Sequence, residues 1–70
     1  MIPISLMRPG DEVIIQKITG DGAVRQHLAE LGFVVGAEVR VVNQLGENMI
    51  LAVLDSKIAL DRTMTSRLMV

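Results

Sequence analysis

One histidine and no cysteine stand among the 70 residues, so any chemistry must be assembled from a short set of side chains. His27 and Glu30 lie three residues apart in a stretch with helical spacing, which brings an imidazole and a carboxylate onto one helix face. Asp21, at the start of that stretch, is the nearest further oxygen ligand. An imidazole with carboxylates suits Fe(II), Mn(II) or Zn(II). Two ligands hold such a cation only weakly, and a lone histidine beside an apolar stripe is more often a boundary residue. No metal site is therefore assigned, and His27 and Glu30 stand as the candidates for weak transition-metal binding. The lack of cysteine excludes disulfides and thiolate metal sites. The five methionines (Met1, Met7, Met49, Met64 and Met69) follow no ligand spacing and read as flexible packing.

Covalent catalysis needs a nucleophile, a base and an orienting group. Ser5, Ser56, Ser66 and the threonines are the available nucleophiles, and none sits in a recognisable nucleophile turn. Gly20-Asp21-Gly22 before a helix has the outline of an anion-cradling turn. Position 25 is Arg where a third glycine would be needed, the Lys-Ser/Thr pair of a phosphate loop is missing, and Asp21 would repel phosphate. A turn followed by an N-cap is the simpler reading, so neither catalytic nor cofactor-binding residues are assigned. Seven Lys and Arg against eight Asp and Glu form no basic footprint for nucleic acid. Phe33 is the single aromatic, too few for a proline-peptide groove or a base-stacking platform.

These side chains must be positioned by one small domain, residues 1–70, since a chain of this length has little core to divide. Residues 2–7 read as an extended opening segment, followed by a turn at Pro9-Gly10. Residues 12–18 are rich in β-branched side chains and read as one strand. Within it Val13 and Ile15 share one face and Ile14 and Ile18 the other, which suggests burial on both sides. Asp21 is a fair N-cap for a helix at about residues 23–31, where Val24, Leu28 and Leu31 form the apolar stripe. Gly32 sits where a left-handed C′ residue is wanted, with Phe33 at C″.

Gly36 then allows a turn before a half-buried strand at 38–42. A hairpin loop at 44–48, a strand at 49–54, a two-residue turn at 55–56 and a strand at 57–60 follow. Residues 61–66 suit one helical turn capped by Asp61, and 67–70 a last strand. Five to six short strands with one inserted helix predict a mainly β fold, a small barrel.

Half the residues are hydrophobic, more than so small a core readily hides, so part of that surface is expected to meet a partner. No secretory signal opens the chain and no run approaches the ~18 apolar residues of a membrane span. The expectation is a cytoplasmic protein without direct membrane insertion. Edge strands leave self-association open.

The run 27–42, HLAELGFVVGAEVRVV, resembles the core motif of the FeoA family, the small cytosolic component of bacterial ferrous iron uptake. Members typically read R-L-x-x-L-G-F/L-x-P-G-x-x-V-x-V, and Leu28, Leu31, Gly32, Phe33, Gly36, Val39 and Val41 match. LMRPG at 6–10, IAL at 58–60 and LMV at 68–70 extend the likeness to both ends of the chain. His27 replaces the usual basic residue, and Val35 stands where Pro commonly precedes glycine. A related pattern occurs in the C-terminal SH3-like domain of repressors of the diphtheria toxin repressor type.

The resemblance implies an SH3-like barrel with an inserted helix and no enzymatic activity. It also implies a role in assisting FeoB, the membrane Fe(II) transporter with a cytosolic G-protein domain, by direct contact. The expected function is a non-enzymatic accessory protein that binds and regulates that transporter. Leu45, Met49 and Met64, with Arg25, Gln26 and Glu30 on the helix, are the candidate contact residues. One alternative is a stand-alone SH3-like domain in metal-dependent transcriptional regulation, against which the missing room for a DNA-binding winged helix counts. The other is a weak Fe(II) sensor or chaperone resting on His27 and Glu30.

Overall fold

In the computed structural model, which describes residues 1–70, the mainly β pattern with one inserted helix is present. A 3₁₀ turn at Ile4–Leu6 precedes β1 (Glu12–Ile14), β2 (Lys17–Ile18), α1 (Gly22–Glu30), β3 (Glu38–Leu45), β4 (Asn48–Val53), β5 (Ser56–Leu60), the one-turn helix α2 (Arg62–Thr65) and β6 (Leu68–Met69). The antiparallel order β1-β3-β4-β5 makes one sheet, and β2 with β6 makes a second. Hydrogen bonding thus stops at two sheets instead of closing into a single barrel ladder.

Alternation builds the central hairpin. Val39 and Val41 of β3 and Met49, Leu51 and Val53 of β4 point inward, while Glu38 and Arg40 point to water. The register sets Val39 opposite Val53 and Val41 opposite Leu51, so apolar pairs meet on the buried face. These residues join Phe33, Leu28, Ile4 and Ile15 in a core cluster of 11 buried side chains.

The helix is held as its sequence suggests. The Asp21 carboxylate accepts a hydrogen bond from the Val24 N–H at 2.9 Å, satisfying one donor of the first turn. At the other end Gly32, at φ 102°, lets Phe33 N–H reach Leu28 O at 2.9 Å and Gly32 N–H reach Ala29 O at 3.0 Å. That is the paired-bond Schellman arrangement. Nine residues are too few for an isolated helix in water, and the fully buried Leu28 ties it to the sheet with about 1.5–3 kcal/mol of burial. The Asp61 cap on α2 is also present, its carboxylate accepting from Met64 N–H at 3.0 Å.

Four local expectations are corrected. The opening segment curls, because Met7 N–H bonds to Ile4 O at 2.9 Å and Ile4 is buried. The strand expected over 12–18 breaks in two at Ile15-Gln16. Ile15 N–H still bonds to Ala37 O at 3.0 Å, but Gln16 N–H bonds to Met69 O at 2.7 Å, so the chain leaves one sheet and enters the other. Ile14 is accordingly 48% exposed, not buried on a second face. The first hairpin is tighter than expected, with β3 and β4 paired up to Leu45 and Asn48 and Gly46-Glu47 left as the turn. In the second, Val53 pairs with Ser56, which moves the turn to Leu54-Asp55 and leaves Leu54 at φ 53°.

The two ends of the described chain meet. Ile2 N–H donates to Val70 O at 3.0 Å and Val70 N–H donates to Ile2 O at 2.8 Å.

Candidate partner-binding surface

Helix α1 presents Arg25, Gln26 and Glu30 to water, and all three are exposed. Gln26 Nε2 donates to Glu30 Oε1 at 3.4 Å, an i, i+4 pair along the helix. His27 is also exposed. It shares the helix with Glu30, yet nothing completes a site, because no group of three or more His, Cys, Asp or Glu gathers anywhere in the structure.

The candidate contact residues separate once their burial is known. Leu45, beside the β3–β4 turn, is 58% exposed and available. Met49 is only 1% exposed; it lies on the inward face of β4 and belongs to the core, which corrects its reading as a contact residue. Met64 is half-buried and packs against the core cluster, leaving part of its side chain outside. Both methionines follow the packing role that a flexible thioether chain favours.

The most exposed large apolar side chain is one the sequence reading passed over. Leu54 is 83% exposed, and a non-glycine residue at its φ of 53° carries a conformational cost of about 1–2 kcal/mol. Its side chain leans over Gly32, where an added Cβ would lie 3.2 Å from Leu54 Cδ1. Beyond Gly32 in the chain, Val34 and Val35 are exposed as well. Ala37 N–H closes a turn on Val34 O at 3.0 Å, with Gly36 at φ 91° in the third place, the arrangement of a type II turn. The sequence did hold a signal: an apolar Val-Val pair bracketed by Gly32 and Gly36 sits at a turn, where polar residues are usual.

Two grooves flank this surface, and Gln16 borders both. The larger, about 740 Å³, lies across β1, β3 and β4, with Ile14, Ala52, Leu54 and Val70 as apolar lining and Glu12, Glu38 and Arg40 as charges. The smaller, about 370 Å³, lies between β2, α1 and the segment after it, and includes Lys17, Arg25, Phe33, Val34 and Val35. At the free edges β1 has three residues, and β5 carries exposed Lys57; short edges and lysines both discourage edge-to-edge pairing. No helix is long and apolar enough to cross a membrane.

The family model described as "FeoA domain" matches residues 2–70. The chain belongs to the FeoA domain family. Among relatives, this FeoA-family chain is 29% identical over 70 residues to a protein of Methanocaldococcus jannaschii described as "Putative Fe(2+) transport protein A", covering 100% of this chain and 85% of that protein. A crystal structure of an iron uptake regulatory protein, FeoA, superimposes with a TM-score of 0.88 at 31% identity, covering 96% of this chain and 89% of the other. Stenotrophomonas maltophilia FeoA, solved as a zinc complex and described as a prokaryotic SH3 domain protein, gives a TM-score of 0.82 at 25% identity, covering 99% and 88%. The expected SH3-like fold is therefore present. A manganese-dependent transcriptional repressor shares the fold alone, with a TM-score of 0.85 at 16% identity over 93% of this chain and 38% of the repressor.

Proposed function

We propose that this FeoA-family chain is a non-enzymatic accessory protein of ferrous iron uptake. In this reading it acts on the cytoplasmic side, binding a FeoB-type membrane transporter with a G-protein domain and regulating it. The observation that carries the reading is the FeoA match over residues 2–70. Leu54 supports it independently. An exposed leucine held in a costly backbone conformation at a hairpin tip is more economically explained by contact with a partner than by folding, which it opposes. Leu54, Leu45 and the α1 face of Arg25, Gln26 and Glu30 are the proposed contact residues, with the exposed part of Met64 at the margin.

Weak metal binding through His27 and Glu30 has less support, because no third ligand stands near them. The test is binding of the purified protein to the full-length transporter and to its isolated G domain, with GTP hydrolysis followed in the same samples. Saturable binding with an altered rate supports a regulatory subunit. Binding to the full transporter alone, with no rate change, assigns it to assembly or gating. Absence of binding to both rejects the proposal.

A further inference from the structure

The smaller groove has a chemical bias that the larger one lacks. Its walls are the α1 residues Arg25 and Ala29 on one side and the β2 residues Lys17 and Ile18 on the other. Val34 and Val35, 45% and 64% exposed, stand along it, and Phe33 closes the floor. Two cations therefore line an apolar cleft, and no carboxylate contributes to its lining. Neither cation is engaged within the chain: the side-chain hydrogen bonds involve neither Lys17 nor Arg25. In the larger groove Glu12 and Glu38 oppose Arg40, so its charge selects no sign.

We infer that the groove between α1 and β2 docks an acidic segment of a protein partner. The segment seats an apolar side chain against Val34 and Val35 and directs carboxylates to Lys17 and Arg25. The inference rests on the partner-binding reading above and adds to it which surface is used and what chemistry it takes. Charge complementarity of this kind sets orientation and partner choice more than raw affinity. The volume of about 370 Å³ lies at the low end of ligand clefts, roughly 300–1,000 Å³, enough for a side chain but not for a whole helix. The apolar lining of Ile18, Phe33, Val34 and Val35 between the two cations favours a protein segment carrying an apolar side chain among its acids over a flat anionic membrane.

The test uses the full chain in two arms. In the first, amide resonances are followed while the peptide acetyl-Asp-Leu-Glu-Val-Asp-amide is added to millimolar concentration, beside its Lys-substituted counterpart and phosphatidylserine vesicles. The expected result is saturable shifts centred on Lys17, Arg25, Ala29 and Val35 with the acidic peptide only. Shifts with the basic peptide, shifts centred elsewhere, no shifts, or stronger shifts with vesicles each overturn the inference. In the second arm, Lys17→Glu/Arg25→Glu and Val35→Asp are compared with wild type for transporter binding, with Lys57→Glu, an exposed charge reversal outside both grooves, as the control. The groove variants are expected to weaken binding at least about tenfold, with an affinity that falls as salt rises. Wild type that binds while the folded groove variants bind equally well overturns the groove and leaves the proposed function standing. Wild type that fails to bind the transporter, but takes the acidic peptide as described, rejects the transporter reading and leaves the groove.

Discussion

Replacing Gly32 with alanine separates two costs that the structure places on one atom. The residue has φ 102°, well beyond the left-handed well near +57° where other residues are occasionally tolerated. Holding alanine there costs about 1–3 kcal/mol. The new Cβ would also lie 3.2 Å from Leu54 Cδ1. That second cost is small, because Leu54 is 83% exposed and can turn aside for about 0.5 kcal/mol of rotamer strain. The sum is about 1.5–3.5 kcal/mol, against a total stability of roughly 3.5–10 kcal/mol for a domain of this length. The melting temperature is expected to fall by about 6–28 °C. Far-UV circular dichroism during heating and urea titration is the suitable assay, since the chain has no tryptophan. Adding Leu54→Ala should recover no more than about 0.5 kcal/mol, because it relieves the contact and not the backbone. A loss below about 0.5 kcal/mol for Gly32→Ala, or full recovery in the double variant, would refute the assignment of the cost to φ.

Leu54→Asn places a residue that tolerates the left-handed region at φ 53°, and is expected to gain about 0.5–1 kcal/mol in urea titration while weakening transporter binding. Equal or tighter binding by that variant would show that Leu54 makes no contact. Val35→Pro fills the second place of the turn closed by Ala37 and should raise stability by about 0.4–1 kcal/mol, read from the thermal midpoint. Met49→Ala empties a site that is 1% exposed and should cost about 2–5 kcal/mol; a loss under 1 kcal/mol with a specific binding defect would return Met49 to the contact surface.

The parts of the fold that were legible in the sequence are those enforced by local chemistry. Asp21 and Asp61 cap their helices, Gly32 ends α1, and Val39 and Val41 alternate with charged neighbours. Each depends on residues adjacent in the chain. The break at Ile15-Gln16 was not legible, because it arises from competition between β3 and β6 for one β-branched run, and no local residue marks it. The contact residues divided for a similar reason. Met49 and Leu54 look alike on hydropathy; alternation along β4 buries Met49 with Leu51 and Val53, while the one-residue shift of the second hairpin turn takes Leu54 out of the strand. The charged groove between α1 and β2 is equally non-local, since Lys17 and Arg25 belong to different elements.

The reciprocal hydrogen bonds between Ile2 and Val70 have a bearing on how this protein can be handled. Anything appended to either end leaves from the same point, and Val70 itself lines the larger groove. An affinity tag would therefore sit like a bung beside that groove, and untagged protein is the material for binding work. The same juxtaposition makes the chain a natural ring. Joining the ends through a few glycines and reopening the backbone at Gly46-Glu47, an exposed turn, would yield a circular permutant with every sheet pairing retained. Its new ends would emerge beside Leu45, leaving both grooves unobstructed for a tethered partner.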